Sequence, residues 1–450
     1  MSKPLRGRVR IPDTLAGLFA ALFLTVPVQA QDAARMDRLV QASTDADVFS
    51  GSVLVARDGQ IVLDRGYGLA NREWGAPNDG DTRFRLGSIT KQFTAVAIMI
   101  LNERGLVDLD APIRTWVPDA PPSWDQVTVR RLLVHTAGVP NFTSFDDFQT
   151  TKGQPATVDS LIARFRDRPL DFQPGEGRKY SNSGYVLLTA VIEKASGQSY
   201  AGFLRQNIFT PLAMNDTGYD RNADVLPRRA SGYTPTADGV INAAYWDMSI
   251  PQGAGGLYST THDLLKWEQG LFGGRLLSPA SLALLTTPVR DQYAFGVFAA
   301  KAQGNTTIAH SGGLDGFNTY MAYDPDRRVT VIVLGNLNGL APDALGGALL
   351  AFSREDAGLG DAQIPVAPDV LRTYAGVYQL SPTSSITIST TENGLIGQWA
   401  GQAAVALTAT GADAFRQPDG GEITFIRSAS GEVTALVLHQ DSRDRIAYGQ

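Results

Sequence analysis

The chain has 450 residues, 43% hydrophobic and 19% charged, an ordinary globular composition with room for two or three domains. Its net charge of −6 argues against nucleic acid or an anionic membrane surface as a partner. There is no cysteine, hence no disulfide, thiolate metal site or lipoprotein anchor. The four histidines (His135, His262, His310 and His439) lack the i, i+4 pairing of a metal-binding helix, so neither metal nor cofactor is expected.

In chain order, residues 1–30 read as a secretory signal peptide. Lys3, Arg6, Arg8 and Arg10 precede an apolar run over 15–28, which ends in Val28-Gln29-Ala30. That is a charged n-region, an h-region and a small-residue cleavage site. The run is shorter than the ~20 residues of a membrane span. The expectation is a secreted or periplasmic protein, cleaved near Ala30 and with no stable membrane span afterwards.

Residues 51–56 and 60–67 are β-rich runs joined by Asp58-Gly59, a hairpin signal. After Ser88, the residues Phe93, Val96, Ala97, Ile100 and Leu101 share one helical face, which predicts a buried helix ending near Gly105. From 111 to about 288, helical stretches alternate with Pro- and Gly-rich loops, and 161–165, 184–195 and 262–271 are the clearest helices. Strand signals return at 295–300, 306–310, 317–323 and 329–334, followed by a helix at 342–353. Early and late strands thus flank a helical insertion, which predicts one antiparallel sheet built from both ends of a domain over 31–355, with helices on its faces. Residues 356–368 read as an exposed linker, and 369–450 as a small all-β barrel or sandwich whose removal leaves the first domain folded.

Three motifs carry the chemistry, each pattern occurring once: Ser88-Ile89-Thr90-Lys91, Tyr180-Ser181-Asn182 and His310-Ser311-Gly312-Gly313. A serine at a helix start sits in the positive end of the helix dipole, and Lys91, three residues on, shares its face. Desolvated against a buried helix, Lys91 would lose its proton readily and serve as base toward the Ser88 hydroxyl. Tyr180 and Asn182 are expected on a loop facing a cleft. There the phenol's pKa is lowered by a nearby cation so that it shuttles a proton, and the amide binds substrate and Lys91. His310-Ser311-Gly312-Gly313 is expected to end a strand, with the Gly313 and Ser88 amides forming an oxyanion hole. Alone, each has a plainer reading: a capping serine, a packing tyrosine, a core histidine, a glycine turn. There is no G-x-S-x-G elbow, Walker A loop or G-x-G-x-x-G fingerprint.

These motifs resemble the serine β-lactamase and penicillin-binding-protein superfamily, on the branch with class C β-lactamases, D-alanyl-D-alanine carboxypeptidases, D-aminopeptidases and family VIII esterases. So do Phe84-Arg85-Leu86-Gly87 before Ser88, the stretch from Leu132 through His135 to Pro140, and Gly255-Gly256-Leu257-Tyr258. The resemblance implies an α/β fold, a β-lactamase-like sandwich of an antiparallel sheet flanked by helices plus an all-helical lobe, and a lipocalin-like C-terminal barrel. It implies an extracytoplasmic serine hydrolase with Ser88 as nucleophile, Lys91 and Tyr180 as base and proton relay, and Asn182, His310, Ser311, Gly312 and Gly313 as substrate contacts. His135 is read as structural. Where class C enzymes have Lys-Thr-Gly and family VIII esterases often Trp-Gly-Gly, this chain has His310-Ser311-Gly312, similar to the carboxypeptidase and aminopeptidase members. That favours small-molecule or peptide substrates built on D-amino acids, cell-wall peptides among them. Carboxylesterase, weak β-lactamase and a penicillin-binding protein without turnover are the alternatives. As counterpart of the family's cation, His310 is expected to help carboxylate-bearing substrates when protonated, with that help fading between about pH 6 and 8.

Overall fold

The computed structural model describes residues 28–354 and 366–450, apart from 237, 303–304, 382–383, 392–393, 412, 419–420, 429 and 441–442. The signal segment up to residue 27 and most of the linker lie outside the described residues.

The central sheet is built from β1 (Gly51–Arg57), β2 (Gln60–Tyr67), β3 (Phe298–Ala302), β4 (Asn305–Leu314), β5 (Phe317–Asp324) and β6 (Val329–Gly335). All pairs are antiparallel, in the order β3-β4-β5-β6-β1-β2, so early and late strands do form one sheet. Asp58 and Gly59 join β1 to β2 with φ of 52° and 76°, positive at both turn positions as a two-residue hairpin of this twist requires.

Strand alternation divides the apolar residues between two cores. Leu54, Ala56, Ile332 and Leu334 face the helical side, packing with α2 (Thr90–Glu103) and α3 (Asn182–Ser196). Every residue from Thr90 to Leu101 is buried, which is why the helix is apolar all round. Val53, Val55, Val331 and Val333 face the other way, toward α1 (Val28–Asp45) and α6 (Ala341–Arg354). Between α3 and α6 in sequence lie α4 (Gln252–Gly255) and α5 (Thr261–Phe272).

Beyond α7 (Pro368–Arg372) come eight strands: β7 (Gly376–Ser381), β8 (Ser384–Thr390), β9 (Leu395–Trp399), β10 (Val405–Gly411), β11 (Ala414–Arg416), β12 (Glu422–Arg427), β13 (Val433–Gln440) and β14 (Arg443–Gly449). They run in sequence order and close into a barrel through Tyr378↔Gly449 and Gln379↔Tyr448. Tyr374, Tyr378, Phe415 and Phe425 pack together inside it with Ile386, Leu395 and Leu436. An eight-stranded barrel is just wide enough for such a filling.

The barrel is not an appendage on an exposed linker. Ile426, Ala435 and Val437 from its outer wall join the α1/α6 core, and Gly347 of α6 leaves no room for a Cβ, which would lie 2.4 Å from Ile426 Cγ2. Arg35 of α1 stacks 3.9 Å from the Phe352 ring and pairs with Asp444, while His439 bonds Asp444 at 2.7 Å and Thr424 at 2.9 Å. This shared core argues against the expectation that the first domain stands without the barrel.

Candidate active site

Ser88 sits in a tight turn, Gly87–Ile89, immediately before α2 rather than inside its first regular turn. The turn is hung between two strands: Leu86 N–H donates to Leu257 O at 2.9 Å, and Thr319 Oγ1 donates to Leu86 O at 2.8 Å. Gly87 has φ of 53°, and a Cβ there would lie 2.6 Å from the Gly313 nitrogen. A Cβ on Gly312 would lie 1.9 Å from Leu86 O. The glycines are therefore where the Ser88 turn and β4 touch. The motif does not end its strand at Gly312-Gly313; β4 continues to Leu314, because those glycines serve close approach rather than a turn. β3 pairs only with Asn305 to Ala309, so the edge of β4 from His310 onward has no partner strand.

Lys91 is fully buried, and burial holds its pKa well below the usual lysine value. Its Nζ lies 3.0 Å from Ser88 Oγ, 2.8 Å from Asn182 Oδ1 and 2.8 Å from Ala254 O. The last two oxygens can only accept, so they take two N–H bonds from the amine and leave its remaining position toward the Ser88 hydroxyl. Asn182 is locked for this purpose. It is the first residue of α3, not a loop residue; its N–H donates to Asn141 Oδ1 and its Nδ2 to Thr143 Oγ1, both at 3.0 Å.

The Tyr180 ring lies 4.6 Å from Lys91 Nζ. Its phenol is not acidified as expected: burial pushes its pKa up, with the Ser88 hydroxyl pulling only partly the other way. Burial thus outweighs every group around the phenol, and Tyr180 keeps its proton. His135, read from sequence as structural, braces this loop. Its Nδ1 accepts from Ser181 N–H at 3.2 Å, its carbonyl accepts from Lys179 N–H at 3.0 Å, and its ring packs 4.3 Å from Tyr180.

The expectation that His310 acts as a cation is overturned. The ring is 3% exposed, and burial, then the nearby Lys91, push its pKa down to about 3. Nδ1 lies 2.6 Å from Ser311 O and Nε2 lies 3.1 Å from the Tyr293 hydroxyl, partners that suit a neutral Nδ1–H imidazole. The Ser311 hydroxyl is turned to Asp343 of α6. The structure therefore gathers Ser88, Lys91, Tyr180, Asn182, His310, Gly312 and Gly313 into one site, with the Ser311 side chain on the other face of the strand. Sequence reasoning missed Ala254, Asn141, Thr143, Tyr293 and Asp343. Asn141 and Ala254 had a nearby signal, following Pro140 and preceding Gly255 in segments already singled out. Among the described residues, no group of three or more His, Asp or Glu side chains forms a metal site, and no helix is long and apolar enough to cross a membrane.

Residues 36–355 match a family model described as Beta-lactamase, and residues 361–447 match one described as a domain of unknown function, DUF3471. Penicillin-binding protein 4* of Bacillus subtilis is 33% identical over 310 residues, which cover 64% of this chain and 68% of that protein. Esterase EstB of Burkholderia gladioli is 31% identical over 299 residues, covering 59% and 76%. The D-amino acid amidase of Ochrobactrum anthropi, solved in complex with L-phenylalanine amide, superposes with a TM-score of 0.63 at 27% identity, covering 72% of this chain and 97% of that one.

Proposed function

The chain belongs to the serine β-lactamase and penicillin-binding-protein superfamily, and on that premise we propose that it hydrolyses D-amino-acid amides and related small amides and esters through an acyl-enzyme on Ser88. The observation that carries this reading is the fully buried Lys91, whose Nζ lies 3.0 Å from Ser88 Oγ and whose charged form burial disfavours. Lys91 takes the hydroxyl proton as Ser88 attacks the acyl carbon. The Ser88 and Gly313 amides hold the oxyanion, a contribution of about 3 kcal/mol per donor. The proton then passes by way of the Tyr180 phenol to the leaving amine or alcohol as its bond to the acyl carbon breaks. Water activated by the same base releases the acid and restores Ser88. Asn182 holds Lys91 and presents its amide to the substrate carbonyl side.

Similarity to a D-amino acid amidase and the peptidase-like His310 support amides of D-amino acids as substrates. The neutral His310 offers no cation for a terminal carboxylate, so D-alanyl-D-alanine carboxypeptidase activity stands behind amide hydrolysis. Carboxylesterase is the second reading, supported by the similarity to EstB. The basic and apolar run before Ala30 supports export to the periplasm or beyond. The test is a fluorophosphonate label together with D-phenylalanine amide, nitrophenyl acetate and a chromogenic cephalosporin. Ser88→Ala should abolish labelling and lower turnover at least about ten-thousandfold, with an unchanged circular dichroism spectrum. Persistent labelling or turnover would reject Ser88 as nucleophile. Labelling of the natural chain with no turnover of any substrate would favour a binding protein.

A further inference from the structure

The Ser311 hydroxyl was expected to meet substrate, and it has another partner. Alternation along β4 turns Ala309 and Ser311 toward α6, while His310 and Gly312 face the helical lobe. There Ser311 Oγ donates to Asp343 Oδ1. Asp343 lies in the first turn of α6, where the helix amides favour a negative charge. Ser311 and Asp343 are both only half-buried, and they sit at the part of β4 that no strand covers.

Among the described residues Asp343 makes no salt bridge. Burial disfavours the charged forms of His310 and Lys91. Arg178, over the Tyr293 ring, is committed to Asp291 at 2.9 Å, and Arg354 at the far end of α6 to Asp324. Beyond Gly313, Lys152 and Asp315 neutralise each other. The Tyr180 ring, which marks the leaving-group side of the proposed reaction, is 6.3 Å from the His310 ring, the neighbour of Ser311.

We infer that Asp343 is a specificity determinant: its charge makes the open edge of β4 disfavour substrates with a carboxylate on the leaving group and select neutral amides and esters. This rests on the hydrolase reading above, and the test separates the two. It compares 4-nitrophenyl acetate with its 3-carboxy derivative, each rate divided by that of hydroxide-catalysed hydrolysis. At pH 8 the neutral ester should be favoured about tenfold in kcat/KM, the scale of one like-charge contact in a partly solvated cleft. Asp343→Asn keeps an acceptor for the Ser311 hydroxyl and should raise kcat/KM for the carboxylated ester at least about fivefold relative to the neutral one, through KM. A merely structural role would move both esters together.

The natural enzyme supplies an independent arm. Burial pushes Asp343 up to about 6, so the preference should narrow as pH falls from 7 to 5. Ser311 faces Asp343 from β4 and Tyr320 from β5, and burial keeps that phenol protonated, so neither titrates in the window. Lys91 acts on both esters alike and cancels in the ratio. A ratio near one at pH 8, or one that neither pH nor Asp343→Asn moves, overturns the inference while leaving the hydrolase intact. Absence of Ser88-dependent turnover of either ester overturns both.

Discussion

The two faces of the central sheet solve the burial of polar groups in opposite ways. On the helical side, burial shifts Lys91, Tyr180, His135 and His310 each toward its neutral form. On the α1/α6 side, charged groups stay charged by pairing at the margins of an apolar core, as Arg35 does with Asp444. Neutral groups in a dry site can exchange protons with a substrate, whereas paired ions cannot without breaking the pair. The chemistry therefore belongs to one face and the cohesion to the other, with Ser311 and Asp343 joining them at the open edge of β4.

The largest effect should come from removing the cohesive face. A chain ending at Arg354 uncovers the side of α1 and α6 that Ile426, Ala435, Val437 and Tyr448 pack against. At ~1.5–3 kcal/mol for each large side chain, this approaches the whole stability of an ordinary domain. Such a chain should be recovered insoluble or unfolded by circular dichroism. A soluble, cooperatively melting product with full activity would show that the two faces are energetically independent.

Lys91→Met should do the reverse, lowering acylation about a thousandfold while leaving the melting temperature unchanged or higher, since a buried ionisable group is replaced by an apolar one of similar volume. A fall in melting temperature as large as that of a core cavity mutant would assign Lys91 a cohesive role instead.

Two glycines sharpen the contrast. Gly312→Ala drives a Cβ to 1.9 Å from Leu86 O and should displace the Ser88 turn, lowering kcat/KM about a hundredfold. Gly347→Ala meets Ile426 at 2.4 Å and should cost ~1–3 kcal/mol of stability with kcat/KM within about twofold. Equal effects of the two on activity and melting would erase the distinction.

The smallest effect concerns a half-buried histidine. Burial lowers the pKa of His262, but hydrogen bonds to Asp64 and Asp81 outweigh it and raise the net value above 6.5. Its contribution is therefore present below the unfolded-state pKa and lost as pH rises through the folded one. His262→Gln should lower the melting temperature by about 1 °C at pH 6 and not at pH 9, a small loss because the pair is solvent-screened. A loss at pH 9 equal to that at pH 6 would mean the histidine acts by packing.

Much of the site was legible because its chemistry is carried by contiguous triplets, and the sheet because hydrophobic alternation persists over whole strands. What was illegible depends on chain crossings. The Ala254 carbonyl reaches Lys91 across 163 residues, and nothing in Gly253-Ala254-Gly255 announces a ligand for an amine. The protonation of Tyr180 and His310 was misjudged for the same reason, since desolvation comes from His135, Tyr293 and Phe298 folding around them, not from their neighbours in sequence. The outward Ile426 and Val437 of the barrel read as ordinary strand residues, and only the structure gives them α1 and α6 as partners.

The packing of α1 on β14 has a temporal side. Met36, Leu39 and Val40 leave the ribosome more than three hundred residues before the barrel wall that helps to enclose their core. Contacts of such sequence separation form slowly, and until they form that apolar surface is open to chaperones and to other chains. Enclosure of the core around the first helix thus needs strands that lie far along the chain.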